Sequence, residues 1–354
     1  MDHSKKNTYL FSIDALRVIA ILAVIAIHIT TKTLATLHLD IAAAPFSLFL
    51  NQAARFAVPL FFLISGFVLE LNNKNGLSYI TFFKKRASRI VVPYFFWTCI
   101  YFLFFTNFQF TKLLSQKLIT ALFLGNASYH LYFIPTLILF YLAFPFFHSA
   151  IRFLKNPAVL LLLWGAELFI LYKDYYIKQW DFSYDIRIAI LSFAMFITGM
   201  VASHHKENIF KFVKQYIYVF AFTTILFPFI IFAHVQALST KYHTSRFIYN
   251  QYGPLNYLYT LILSSLLYFA LEKTQFLRSF FITMSKLSFF VFFVHVLIQS
   301  LLWDNVIDAI IGNGNSAFLR NIWFDPLLFL IISIISFGIA FFVHKIPYAD
   351  KITG

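Results

Sequence analysis

The chain has 354 residues, of which 60% are hydrophobic and only 12% are charged, and its mean hydropathy is +0.77. A water-soluble domain carries about 25% charged residues, so this composition excludes a soluble globular protein and predicts that lipid covers most of the surface. The net charge of +14 is typical here of membrane orientation, so no nucleic-acid partner is expected; the single Cys99 excludes an internal disulfide and a cysteine-based metal cluster, and no metal site is predicted.

About ten hydrophobic runs follow one another along the chain, and a transmembrane helix needs roughly 20 apolar residues. We see no internal repeat and no linker that would divide the chain. We therefore predict an all-α polytopic integral membrane protein with a single transmembrane domain over residues 1–354. The runs lie at 10–30, 46–71, 91–108, 129–150, 156–173, 186–203, 213–236, 255–272, 287–303 and 323–344.

Lys and Arg residues are unevenly divided between the loops on the two sides of these runs. With the N-terminus inside, the inside loops carry most of them. The positive-inside rule then predicts that both termini are cytoplasmic and that the protein is multi-pass in the cell membrane. Lys5 and Lys6 precede the first run as in a signal peptide, but polar residues interrupt that run, so we expect a retained helix.

The first predicted helix carries Asp14, Arg17 and His28, which are costly among lipid tails and therefore typical of functional positions. At about 100° per residue, Arg17 and His28 share one face and are separated by roughly 16 Å along the axis. Asp14 lies one turn from Arg17 and can pair with it. Spacing alone leaves two interpretations open: a polar pathway across the bilayer, or an interfacial ion pair with a histidine that reaches the outer headgroups.

The second predicted helix combines a charged residue with a pair of small ones. Arg55 lies near its outer end, at a position suited either to binding a substrate or to reaching the interface. Ser65 and Gly66 are small enough for close packing against another helix.

A basic segment, Lys85, Arg86 and Arg89, precedes the third predicted helix on the cytoplasmic side. Arg86 and Arg89 lie on one face of a helical turn, and the planar guanidinium group suits bidentate binding of phosphate. A cofactor with several phosphates fits this segment. Contact with anionic lipids, or a plain topology signal, fits it as well.

Polar residues recur in the later helices. His130 and Tyr132 begin the fourth at the outer surface, and Glu167 lies in the fifth, where a carboxylate needs a partner. His295 lies in the ninth, where a hydrogen-bonded structural role and a chemical role are equally open. The outer tyrosines are suited to stacking on a sugar or to the interfacial aromatic belt; they are Tyr242, Tyr249, Tyr252, Tyr257 and Tyr259.

Five of these segments, taken in order, resemble the family-3 acyltransferases, and the resemblance runs from residue 13 to about 300. They are Ile13–Arg17 followed by His28, Val58–Phe67, Lys85–Tyr94, His130–Phe133 and Ser288–His295. Two positions depart from the family pattern, which commonly has Trp at the position of Tyr132 and Pro at that of Val296.

The resemblance implies an O-acyltransferase that moves an acyl group, usually acetyl from cytoplasmic acetyl-CoA or another acyl-CoA, to a hydroxyl of a cell-envelope or exported glycan. Membrane lipids and glycan-synthesis machinery are its expected partners. A histidine has a suitable pKa to remove the hydroxyl proton, and it can also carry the acyl group. The expected catalytic residues are His28, Arg17 and Asp14; the cofactor-binding residues are Arg86, Arg89 and Lys85; and the substrate-binding residues are Arg55, His130, Tyr132 and His295.

A transporter or flippase of a lipid-linked or exported glycan is the alternative. Ten helices with buried charges suit such a protein, and the sequence has possible helix-breaking positions at Pro59, Pro135, Pro145 and Pro228. Transporters often consist of two matched halves, and the sequence has no such symmetry.

Overall fold

A computed structural model describes residues 10–37, 44–74, 76–110, 115–173, 190–242, 253–273, 277–312, 316–347 and 349–353. Within these ranges the chain is helical and contains no strand. The elements are α1 (Phe11–Thr36), α2 (Pro45–Ala53), α3 (Ala57–Asn73), α4 (Tyr79–Arg86), a π-helical turn (Ala87–Val91), α5 (Val92–Phe105), α6 (Gln116–Leu124), α7 (Phe133–Ser149), α8 (Ile151–Leu154), α9 (Pro157–Tyr172), α10 (Phe193–Gln215), α11 (Ile217–Tyr242), α12 (Pro254–Lys273), α13 (Arg278–Leu302), a second π-helical turn (Trp303–Ile307), α14 (Asp308–Gly312), a 3₁₀ turn (Ser316–Arg320), α15 (Phe324–Val343) and α16 (Asp350–Thr353).

Each of the ten predicted runs coincides with a helix, which confirms the all-α, multi-pass prediction. The apolar helices α7 and α9 are shorter, and α10 accounts for the run at 186–203, of which 186–189 lie outside the described residues. The orientation remains a prediction from the loop charges. Among the described residues, seven helical segments are long and apolar enough to cross a membrane: Phe11–Thr36, Pro45–Asn73, Tyr79–Phe105, Ile217–Tyr242, Pro254–Glu272, Arg278–Gly312 and Phe324–Val343.

Helix α1 lies at the centre of the bundle. It packs against α2, α3, α12, α13 and α15. A helix that is apolar nearly all round is expected to be enclosed by other helices or by lipid. Here protein encloses it, and most of its side chains are buried. Asp14, Arg17 and His28 therefore face the interior of the bundle, whereas Lys32 near the end of α1 is exposed.

Helices α3 and α10 form the closest helix pair, because each contributes a glycine at the crossing point. A methyl group added at Gly66 would collide with the carbonyl oxygen of Phe196, and one added at Gly199 would collide with that of Leu63. The two backbones thus touch directly, as small residues permit between membrane helices. The packing role predicted for Gly66 is confirmed, whereas Ser65 lines a cavity.

Glu167 on α9 has a partner that the sequence did not reveal. Its Oε2 atom accepts a hydrogen bond from the backbone N–H of Ala194, in the first turn of α10. Helix N-termini leave four N–H groups without intrahelical partners. Glu167 satisfies one of these and joins α9 to the start of α10.

The carboxylate of Glu70 contacts two histidines and so joins α3, α7 and α10 at the predicted cytoplasmic end. Glu70 is fully buried and contacts His148 Nδ1 and His204 Nε2, each at 2.8 Å. Next to it, Lys74 Nζ donates to the carbonyl of Ser203 at 2.7 Å. Burial, and after it the positive charge of Lys206, lower the pKa of Lys74.

Candidate active site

Three histidines from separate parts of the bundle meet at one place. His28 lies on α1, His130 lies in the turn before α7, and His295 lies on α13. The His28 ring stacks on His295 with the centroids 5.3 Å apart, and the His28–His130 and His130–His295 centroid distances are 6.3 and 5.5 Å. The structure therefore brings the expected catalytic histidine together with two residues that were expected to bind substrate.

A glycine places His130. Gly125 ends α6 in the left-handed conformation (φ +70°), and a methyl group there would collide with the backbone of Tyr132. Only glycine combines this conformation with such a close approach. The turn from Gly125 to Tyr132 is therefore tight, and it buries His130 to 2% exposure against α13.

Hydrogen bonds indicate which nitrogens of the two partner histidines are available. A carbonyl oxygen only accepts, so His295 Nδ1 donates to Val291 O at 2.9 Å, and in the neutral ring Nε2 then carries a lone pair. His130 Nδ1 contacts Ser128 Oγ at 3.1 Å. Both Nε2 atoms are buried and have no hydrogen-bond partner among the described residues. His295 Nε2 is thus a proton-accepting nitrogen in an apolar setting.

The backbone around His28 is fixed from two sides. Gln299, one turn after His295 on α13, donates through Nε2 to the His28 carbonyl at 3.0 Å. Asn51 Nδ2 donates to the Ile27 carbonyl at 3.2 Å. Arg55 is 3% exposed, and its Nε and Nη2 atoms donate to Asn51 Oδ1 at 3.0 and 2.7 Å. Arg55 therefore lies inside the bundle, linked through Asn51 to the turn that carries His28.

A tyrosine hydroxyl bridges a turn of α13 across His295. Tyr101 on α5 donates to the Phe293 carbonyl at 2.6 Å and accepts from the Leu297 N–H at 3.0 Å. These are the two groups that pair with each other in a regular α-helix. A side chain inserted into this ladder bends a helix. The Tyr101 ring also lies edge-on to His130, with 5.0 Å between the ring centroids. Tyr101 therefore contacts His130 directly, and through its hydroxyl it contacts the turn of α13 that carries His295.

Two cavities adjoin the histidine cluster. The small one, about 30 Å³, is lined by His28, His130 and Tyr132 together with apolar side chains. We call it the histidine chamber. The large one, about 490 Å³, extends toward the predicted cytoplasmic side and is lined by Arg17, Arg86 and Arg89 among others. We call it the arginine cavity.

The arginine cavity also contains Asp14. Arg17 Nη1 donates to Asp14 Oδ1 at 3.0 Å, and Ser285 Oγ donates to the same oxygen at 2.7 Å. Asp14 and Arg17, which were expected to be catalytic with His28, therefore line the cavity at the opposite end of the pathway. Asp14 orients Arg17 there. Lys85 is exposed and is not among the residues that line this cavity.

Among the residues of the arginine cavity, Arg86 has the features most typical of a ligand-binding residue. Its guanidinium group lies over the rings of Phe82 and Tyr141, at 5.5 and 5.3 Å from their centroids, and its buried Nε has no hydrogen-bond partner among the described residues. The π-helical turn Ala87–Val91 follows directly, and such turns are frequent at functional sites. A rigidly stacked guanidinium with a free donor suits a phosphate group.

Some residues of the site escaped the sequence analysis. Tyr129 is 56% exposed, and its ring lies edge-on to His28 with 4.9 Å between centroids, so it connects His28 with the exposed surface of the described residues. Lys286 and His344 add basic groups to the arginine cavity. Tyr129 is adjacent to His130 in sequence, and Lys286 lies just before the Ser288–His295 segment. Their closeness in sequence to these motifs is the signal that could have identified them.

The outer tyrosines are less suited to stacking on a sugar than the sequence allowed. Tyr257 and Tyr259 are buried, at 0 and 5% exposure, and the Tyr257 hydroxyl donates to the Leu191 carbonyl. Tyr242 is 55% exposed. Tyr249 and Tyr252 lie outside the described residues.

The sequence is similar to a known protein family. A protein-family model described as an acyltransferase domain matches residues 10–345, nearly the whole chain. No curated protein and no solved structure matches. Among the described residues, no group of three or more His, Cys, Asp or Glu side chains is arranged to hold a metal ion.

Proposed function

The chain belongs to this acyltransferase family, and from that premise we propose that it transfers an acyl group, acetyl in the first instance, from acyl-CoA to a hydroxyl of a cell-envelope or exported glycan. One observation supports the proposal above the others. The arginine cavity and the histidine chamber lie end to end, with phosphate-binding chemistry at one end and proton-accepting chemistry at the other.

The arginine cavity suits the donor. Arg86 and Arg89 bind its phosphates from the predicted cytoplasmic side, Arg17 adds a third cation held by Asp14, and Lys286 extends the basic lining. The free Nε of Arg86 agrees with a site built for an anionic group. CoA supplies an activated thioester and a thiol leaving group. No side chain of the arginine cavity therefore needs to take part in the bond changes.

The histidine chamber performs the proton transfer. His28 takes the proton of the acceptor hydroxyl as the oxygen forms its bond to the acyl carbon and the carbon–sulfur bond breaks. His28 then gives that proton to the sulfur, and CoA leaves as a thiol, so the atoms and charges balance. His295 stacks against His28 and keeps the ring in this orientation. The acceptor approaches past Tyr129, whose exposed ring lies against His28 and does not line the arginine cavity.

Donor binding tests the proposal without knowledge of the acceptor. We expect saturable binding of acetyl-CoA to the purified protein in nanodiscs, and only weak competition from ADP at equal concentration, because ADP has the diphosphate but not the acylated arm. Slow release of CoA thiol with water as acceptor should accompany it. If acetyl-CoA, succinyl-CoA and free CoA all fail to bind to folded protein, the acyltransferase proposal is wrong, and glycan transport becomes the hypothesis to test.

The Tyr101 bridge leads to a further prediction. Tyr101→Phe keeps the ring and removes the hydroxyl that spans the turn of α13 around His295. A shift of about 1 Å in a catalytic group costs about 100-fold in rate, so we expect kcat to fall about 10- to 100-fold with little change in KM for acetyl-CoA.

Tyr94→Phe is the matched control. Tyr94 is on the same helix and equally buried, but its hydroxyl donates to the Leu122 carbonyl, away from α13. Its loss should leave kcat within about twofold of the parent. Equal losses in both variants, or a change confined to KM, would mean that Tyr101 contributes only to packing.

A further inference from the structure

Three phenylalanines separate the arginine cavity from the histidine chamber. Phe61, Phe133 and Phe292 line both cavities, so whatever passes from one to the other passes between these rings. We call them the phenylalanine collar. They come from α3, α7 and α13, and the Phe61–Phe133 and Phe133–Phe292 centroids are 5.7 and 5.6 Å apart. At these distances the rings are in contact.

The collar is braced from behind. Phe133 packs on Phe62, 5.0 Å between centroids, and Phe62 is fully buried. Phe292 packs on Phe293 at 5.4 Å, and Phe293 stacks on Trp97. Tightly packed aromatic side chains resist displacement, because the space they would move into is already filled. The opening between the cavities is therefore set by these side chains.

The space beyond the collar is small. The histidine chamber measures about 30 Å³. A cavity needs about 10–15 Å³ of such volume to hold one water, so the chamber accommodates a group of about two to three non-hydrogen atoms. An acetyl group has this size, and each further methylene adds roughly one more water-sized unit. A four-carbon acyl group exceeds the chamber unless a wall residue is removed.

We propose that the phenylalanine collar is the size filter for the acyl group: it admits an acetyl group to His28 and excludes longer acyl groups. This inference rests on the proposed function, since it assumes that acyl-CoA enters through the arginine cavity. The acyl carbon reaches His28 only beyond the rings, so selectivity is exerted on the acyl group and not on CoA. Free CoA, which has no acyl group, is therefore the reference ligand for the filter.

A homologous series of donors tests the filter. We would measure the affinity of free CoA and of acetyl-, propionyl-, butyryl- and hexanoyl-CoA for the protein in nanodiscs, and the rate of CoA thiol release for each ester. The parent protein should bind acetyl-CoA at least as tightly as CoA and lose about tenfold in affinity or release rate between acetyl and butyryl. Phe292→Ala should remove this preference, so that acetyl- and butyryl-CoA differ by less than about twofold when each is compared with free CoA on the same variant.

Phe290→Ala is the matched control. Phe290 is a buried phenylalanine on the same helix, 3% exposed, and it lines neither cavity. It should keep the parent ranking. Phe61→Ala, at the half-buried edge of the collar, repeats the test if Phe292→Ala does not fold.

The possible results distinguish failure of the proposed function from failure of the size filter. Absence of binding by every CoA species overturns the proposed function, and the filter with it. Binding of CoA with equal affinity and release for acetyl and butyryl in the parent protein, or an unchanged ranking in Phe292→Ala, overturns the filter alone.

Discussion

Replacing His28 by glutamine should lower acyl transfer about 1,000-fold and leave the affinity for acetyl-CoA within about twofold. General acid–base catalysis contributes about 10²- to 10⁴-fold, and glutamine keeps the size and polarity of the ring without a titratable nitrogen. Donor affinity should persist because the phosphate-binding groups lie in the arginine cavity, at the other end of the pathway. The measurement is kcat for CoA release beside the Kd for acetyl-CoA.

His234→Gln is the control for this variant. His234 is partly buried on α11 and lines neither cavity, so transfer should be unchanged. Transfer at the parent rate in folded His28→Gln would remove His28 from the mechanism. Rapid-quench labelling with radioactive acetyl-CoA distinguishes direct transfer from a covalent route, since only the latter leaves label on His28 of the parent protein.

The second large effect concerns the donor. Arg86→Ala/Arg89→Ala should weaken acetyl-CoA binding about 100-fold, because a hydrogen bond to a charged group contributes about 1.5–3 kcal/mol and the two losses are not fully additive. The remaining affinity should depend less on salt than that of the parent, since fewer charges are left to screen. Binding titrations at two ionic strengths measure both effects.

Lys84→Ala/Lys85→Ala removes the same charge from the adjacent, exposed positions. We expect its affinity to fall less than threefold, because neither lysine lines the arginine cavity. Comparable losses in the two double variants would show that the segment attracts CoA only by net charge. In that case the stacked geometry of Arg86 has no specific role.

The helices were predictable from sequence because hydropathy reports directly on lipid exposure. Their boundaries were less so: the third run, predicted at 91–108, belongs to a continuous helical segment, Tyr79–Phe105, that starts earlier. Its first turns carry Lys84 to Arg86 and are too polar for a hydropathy pattern to include. The π-helical turn has no sequence signal of its own.

The site was predictable one helix at a time. Helical geometry already put Arg17 and His28 roughly 16 Å apart, which agrees with their placement in two cavities. Which helices are neighbours is decided by packing, so the contact of His28 with His130 and His295 could not be calculated from spacing. Tyr101 and Tyr129 were hidden for a simpler reason, since the chain has 20 tyrosines.

The glycine crossing of α3 and α10 bears on how the pathway can open. The two backbones are in direct contact at Gly66 and Gly199, with no room for a side chain at either position, so we expect the two helices to move together. Phe61 belongs to that pair, whereas Phe133 and Phe292 lie on helices outside it. We therefore expect any widening during turnover to come from movement of α7 and α13 relative to α3 and α10. Movement of these two helices alone would admit an acyl chain. It would not open the site alternately to the two sides of the membrane, as a rocking carrier must.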